Sequence, residues 1–104
     1  MSAEKQFIAR QIKYQNQILV NICDEELLGT TVKGGAVDMN ISRDYFGVDK
    51  VDVGEALALV RQSSIINLAG TRIVERVVDE KLASERAVKR VGSVSFLMIF
   101  KFTS

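Results

Sequence analysis

The chain has 104 residues, 47% of them apolar and 26% charged, with a net charge of +1 and no histidine, tryptophan or proline. That length suits one α+β domain over residues 1–104, able to bury a core without disulfides or a metal. The single Cys23 excludes an intrachain disulfide and makes a reducing, cytoplasmic compartment the expectation, while the missing histidine removes the commonest general base and metal ligand together.

The N-terminus, Met1-Ser2-Ala3-Glu4-Lys5-Gln6, is polar and mixed in charge, so no secretory signal is expected. Residues 7–14 alternate imperfectly and predict a strand. Gln15-Asn16 is a short turn, and Gln17 to Cys23 reads as a second strand, which makes the pair a hairpin. Cys23 then reads as a small apolar core residue, because thiol catalysis needs a lowered pKa and usually a histidine.

Asp24-Glu25-Glu26 follow directly. Adjacent carboxylates repel, so they must be solvated, capped or paired. Residues 24–29 predict one helical turn, with Asp24 as its N-cap and Gly29 as its terminator. Contact with a basic partner is the alternative reading. A cation site needs oxygens that converge, and consecutive side chains diverge, so no metal is expected.

Thr30–Lys33 and Ala36–Ile41 predict strands around Gly34-Gly35, the strongest hairpin signal in the chain. A phosphate loop would lead into a helix, whereas Ala36-Val37-Asp38-Met39 is strand-like. Ser42–Gly47 is a turn carrying Tyr45 and Phe46, which either stack bases or enter the core. Asp52 and Glu55 have capping-box spacing, and the helix that follows, Val53–Gln62, places Val53, Ala56, Leu57 and Val60 on one face.

Ser63 or Ser64 is expected to cap a second helix with Ile65, Leu68, Ala69, Ile73, Val77 and Lys81 in one stripe. Gly70 would then lie inside that helix, at a cost of about 1 kcal/mol relative to alanine. Asn67 and Gly70, one turn apart and beside Arg72, either form a small polar notch or serve packing, the Asn satisfying a neighbouring loop and the Gly allowing a close approach. Ser84-Glu85-Arg86 predicts a turn, Val88–Val91 a strand, Gly92-Ser93 a turn, and Val94–Phe102 the last strand. Its apolar run Phe96–Phe100 is far too short to span a membrane. The expected architecture is an antiparallel sheet of hairpins with two helices packed on one face.

Charge is unevenly spread. Residues 1–20 carry +2, residues 21–60 carry −5 and residues 61–104 carry +4. Arg72, Arg76, Arg86, Lys89 and Arg90 are therefore candidates for one basic, phosphate-contacting face. Asp24, Glu25, Glu26, Asn67 and Gly70 are the candidates for a partner contact.

Several segments together resemble an archaeal domain-of-unknown-function family, number four-two-four. The likeness rests on Cys23-Asp24-Glu25-Glu26-Leu27-Leu28-Gly29, Tyr45-Phe46-Gly47, Ile66-Asn67-Leu68-Ala69-Gly70 and Arg90-Val91-Gly92. It implies a small RNA-binding protein linked to translation or the ribosome. Members tend to continue Gly-Gly-Val-Pro-His, where this chain reads Gly92-Ser93-Val94-Ser95-Phe96, so a role built on that histidine is impossible here. The expectation is a binding protein with no catalytic residues and no cofactor. It would take RNA or the ribosome. The alternative is a protein–protein adaptor or homodimer, in which the acidic middle meets a basic partner or the last strand pairs with a second copy.

Overall fold

The computed structural model describes residues 4–101. Strands β1 (Phe7–Tyr14) and β2 (Gln17–Asp24) form the expected hairpin, its turn made possible by Gln15 at φ 55°. A 3₁₀ turn, Glu25–Leu27, leads to the second hairpin, β3 (Thr31–Gly34) and β4 (Val37–Asn40), which turns through Gly35 at φ 80°. Ser42 caps a one-turn helix, α1 (Arg43–Phe46), and β5 (Asp49–Val51) follows, a strand the sequence pattern did not suggest. Helix α2 (Val53–Gln62) starts on the capping box: the Glu55 amide donates to Asp52 Oδ1 at 2.8 Å, and the Asp52 amide donates back to Glu55 Oε1 at 3.2 Å.

The expected second helix is corrected at its start. Ile65–Ala69 is a strand, β6, and helix α3 begins only at Thr71 and runs to Asp79. Gly70 stands between them at φ 129°, a conformation that side-chain-bearing residues rarely adopt, so it is a hinge and not a helix-interior residue. Asn67 accordingly sits on a strand, and no helical notch exists. A second 3₁₀ turn (Glu85–Ala87) precedes β7 (Lys89–Val91) and β8 (Val94–Phe100). Phe102, the expected end of that strand, lies outside the described residues.

Six strands form one sheet in the order β5-β1-β2-β6-β8-β7, and β3-β4 is a separate ribbon. The sheet is mixed, not wholly antiparallel. β2 and β6 run parallel, Leu19 beside Ile65 through Cys23 beside Ala69, because α2 intervenes between β5 and β6 and returns the chain in the same direction.

Side-chain alternation then separates two cores. Val20, Ile22, Ile66, Leu68 and Leu97 face Ala56, Leu57 and Val60 of α2 and Ile73, Val74 and Val77 of α3. On the other face Ile8, Cys23 and Ala69 are covered by Val32, Ile41 and Phe46. Val20, Ile22, Leu57, Val60, Leu68, Ile73 and Val77 are buried, while Ile18 at the strand entrance is half-buried. No helix among the described residues is long and apolar enough to cross a membrane.

Candidate functional site

The acidic triplet divides between two cations, Asp24 and Glu26 at Arg72 and Glu25 at Lys50. Asp24 is 3% exposed, and its side chain does not cap the 3₁₀ turn it precedes. Its carboxylate crosses to α3 instead and accepts from the Arg72 amide (Oδ2, 3.0 Å) and the Ile73 amide (Oδ1, 3.0 Å). Helix α3 lacks a capping side chain of its own because Gly70 occupies the cap position, so a strand residue far away in sequence supplies the missing acceptor. The fit is close: a Cβ on Gly70 would lie 2.3 Å from Asp24 Cγ. Burial pushes the Asp24 carboxyl above its ordinary pKa, against the lowering effect of the two amides and the Arg72 charge.

Glu26 pairs with Arg72, whose Nε donates to Oε2 at 3.0 Å and whose Nη2 reaches Oε1. That hydrogen bond holds the Glu26 carboxyl below its usual range and raises Arg72. The Arg72 guanidinium also donates to the Gln6 carbonyl at 3.1 Å and lies 5.1 Å over the Phe7 ring. Glu25 takes Lys50 at 2.9 Å. Asp24 and Glu26 thus meet at Arg72, whose Nε lies 3.9 Å from Asp24 Oδ2, while Glu25 turns away to Lys50. Beside them, Cys23 is buried, and desolvation first, then the charges of Asp24 and Glu26, push its thiol up to about 12, so it carries no thiolate at neutral pH.

The five basic candidates are distributed over several surfaces. Arg72 is engaged at the acidic node, and Arg76, exposed on α3, lines one shallow depression together with Arg72, Glu4, Gln6 and Glu75. Arg86 is exposed on the second 3₁₀ turn. Lys89 and Arg90 are neighbours on β7, opposite Phe96 and Ser95 respectively, and so emerge on opposite faces of the sheet.

The larger feature lies on the face away from α2 and α3, where strand register arranges side chains in transverse rows. Ile8, Cys23, Ala69 and Phe96 form the row beneath the β3-β4 ribbon and α1. The next row is Arg10, Asn21, Asn67 and Met98, and the third is Ile12, Leu19, Ile65 and Phe100. Asn67 donates to Asn21 Oδ1 at 2.9 Å, and Asn21 donates to the Tyr45 carbonyl at 2.9 Å, which ties α1 to the sheet. The third row has no cover. Phe100 is 53% exposed and Ile12 36%, with Met98 and Tyr14 open beside them.

Between this face and the ribbon runs a groove of about 690 Å³. Met39, Asn40, Tyr45 and Phe46 wall it, Asn67 and Phe96 floor it, and Lys89 and Met98 close the far side. Among the described residues Lys89 is the one charged side chain that lines it. Phe46 is buried while Tyr45 is exposed, so the two aromatics take separate roles. Asn67 lines this groove, and Arg72 lies outside it at the acidic node. Of this site, sequence reasoning singles out Asn67, Lys89, Tyr45 and Phe46 without bringing them together; Met39, Met98, Ile12 and Phe100 are not singled out as site residues. The alternation of Phe96, Met98 and Phe100 was the available signal.

The sequence profile of the family described as "Protein of unknown function (DUF424)" matches residues 12–102. The chain belongs to this family. Among solved structures it is similar to an uncharacterized conserved protein from Methanopyrus kandleri, with a TM-score of 0.74 and 19% identity over 94% of this chain and 95% of that one. At that identity the likeness concerns the fold. Comparison with curated proteins returned no match. The segments that carried the DUF424 resemblance prove to be joints: Asp24 with Gly70 at the start of α3, Asn67 through Asn21 to the backbone of Tyr45, and Gly92 pressed against the Lys33 carbonyl.

Proposed function

We propose that this DUF424 protein is a non-catalytic binding module, that its working surface is the open sheet face with its groove, and that its ligand is another protein. The uncovered row Ile12–Leu19–Ile65–Phe100 carries this reading. A contiguous apolar band, continued by Met98 and Tyr14, costs solvation while it stays bare, and such bands mark interaction surfaces. Among the described residues no hydrogen bond joins a nucleophile to a base in the groove: the Ser42 hydroxyl accepts from the Tyr45 amide, and Lys89 does not bond to it. A cytoplasmic site of action fits a chain whose one cysteine is buried and unpaired.

RNA is a second reading, favoured by one observation: exposed Tyr45, the amide of Asn67 and the ammonium of Lys89 share one groove. These would stack a base, bond its edge and meet a phosphate. Role and surface are tested together by capture from native extract and light scattering, comparing the wild type with Met98→Glu/Phe100→Glu. A protein partner, or self-association, present in the wild type and absent in the variant supports the proposal. Binding of oligouridine instead, weakening with salt at a slope near −0.7 per neutralised phosphate, transfers the surface to RNA. Equal behaviour of both proteins removes the surface from consideration.

A further inference from the structure

One wall of the groove is a strand edge. In the β3-β4 ribbon the Ile41 amide donates to the Thr30 carbonyl at 2.9 Å, which sets the phase of the ladder. Val32 with Met39 and Gly34 with Val37 are then the bonded pairs, and the main-chain groups of Asp38 and Asn40 point away from β3. Among the described residues no other main-chain or side-chain group bonds to them. All four residues of β4 are exposed. β4, and not β3, borders the groove: Met39 and Asn40 line it, and no residue of β3 does. Val32 and Met39 share the face of the ribbon turned toward the sheet, so Met39 reaches down into the groove while the edge stands above it.

We infer that the partner binds by strand addition: an extended segment pairs with the free edge of β4 as a third strand of the ribbon. In parallel addition one residue of that segment bonds the Asp38 carbonyl and the Asn40 amide; in antiparallel addition two residues, two positions apart, bond the donors and acceptors of Asp38 and Asn40. Its alternate side chains drop between Tyr45 and Met98 onto the floor made by Asn67 and Phe96. The lining there is mainly apolar and its one charge is Lys89, so the segment carries apolar residues at alternate positions and one carboxylate opposite Lys89. The ribbon alone has two strands, which are marginal in water, and a third strand completes a pattern its edge already presents. This inference rests on the protein-binding reading of the open face and adds to it the mode and the chemistry of the partner.

The probe is a fluorescent, end-capped short peptide alternating valine and threonine with one central glutamate, followed by anisotropy. Its counterpart is the same peptide N-methylated on the amides of one edge. Strand addition requires the plain peptide to bind and the methylated one to lose about tenfold or more, the scale of one or two hydrogen bonds and a steric block. Asn40→Pro removes an outward N–H that the ladder does not use, and should lose binding similarly. Asn40→Ala should keep it, because the bond is main-chain. Lys89→Glu should weaken the glutamate peptide and favour one with lysine in its place. Amide exchange at Asp38 and Asn40 should slow in the complex. Should Asn40→Pro melt early, the methylated peptide decides the matter alone. Equal binding of plain and methylated peptides, or unchanged exchange, overturns strand addition. So does no peptide binding at all. If Met98→Glu/Phe100→Glu still releases a native partner in any of these cases, the open-face reading stands without the edge; if it does not, both fall.

Discussion

Asp24 shows how much a single residue can carry. Two backbone donors at the start of α3 end on its carboxylate, and the Ile73 donor is buried. Asp24→Ala strands both, so a loss on the order of 3 kcal/mol is expected in denaturant unfolding, more than a simple helix cap contributes. Asp24→Asn keeps one acceptor oxygen and turns an NH₂ toward the other amide, and should recover only part of that loss. Gly70→Ala combines backbone strain at φ 129° with a collision against Asp24, and should cost roughly 2–5 kcal/mol. In the double variant Asp24→Ala/Gly70→Ala the collision is gone but the strain remains, so the two costs should add to less than their sum. Simple additivity would show that the contact does not matter.

The same node responds to pH, with opposite signs at its two acids. Glu26 has a lowered folded pKa. Its stabilisation is fully present above its ordinary value of 4.5 and is lost as pH falls through the lower folded value. Asp24 has a raised one, so the folded state takes up its proton first and gains from acidification between its ordinary value of 3.8 and the higher folded value. The stability difference between wild type and Glu26→Gln should therefore be positive at neutral pH and vanish as pH drops well below 4.5, and it should shrink with salt because Glu26 is largely exposed. A difference that grows on acidification would contradict the pairing with Arg72.

At the scale of elements the instructive segment is Ile65–Ala69. Its residues satisfy a helical stripe with Ile73 and Val77 beyond them, which is why periodicity assigned it to a helix. In the fold it is an interior strand between β2 and β8, and interior strands lose the polar–apolar alternation that identifies a half-buried one. Two β-branched isoleucines and the terminating Gly70 were the contrary signals. Leu68→Ala should cost about 2–5 kcal/mol, since Leu68 faces the helices at 2% exposure. Ile65→Thr should cost less, because Ile65 lies on the open face in a half-buried position. If helical periodicity governed instead, the two would behave alike. Capping boxes and glycine turns were legible because their chemistry is local: α2 has its predicted bounds, and the Gly35 turn joins the predicted strands.

For the whole molecule the two faces of one sheet have different tasks. The helix face closes the core, while the other is roofed over only part of its width by α1 and the ribbon. Phe100→Glu should leave the unfolding free energy within about 0.5 kcal/mol, as expected for an exposed position, while reducing self-association or partner capture. A large stability loss would mean that Phe100 supports the fold and is not a contact surface. Arg72→Ala should lower stability and leave any RNA affinity unchanged, because Arg72 is already held by Glu26 and Gln6.

The local order of this DUF424 chain was readable from its residues: the first hairpin, the glycine hairpin, the capped helix and most of the core. Each depends on interactions between near neighbours, or on whether a side chain avoids water. Which strands lie side by side was not readable. The parallel pairing of β2 with β6 and the reach of Asp24 to α3 join residues more than forty positions apart, and no local period encodes such a pairing. The candidate site follows from that choice. Only the register of four strands sets Ile12, Leu19, Ile65 and Phe100 in one row, and only the placement of the ribbon leaves that row bare.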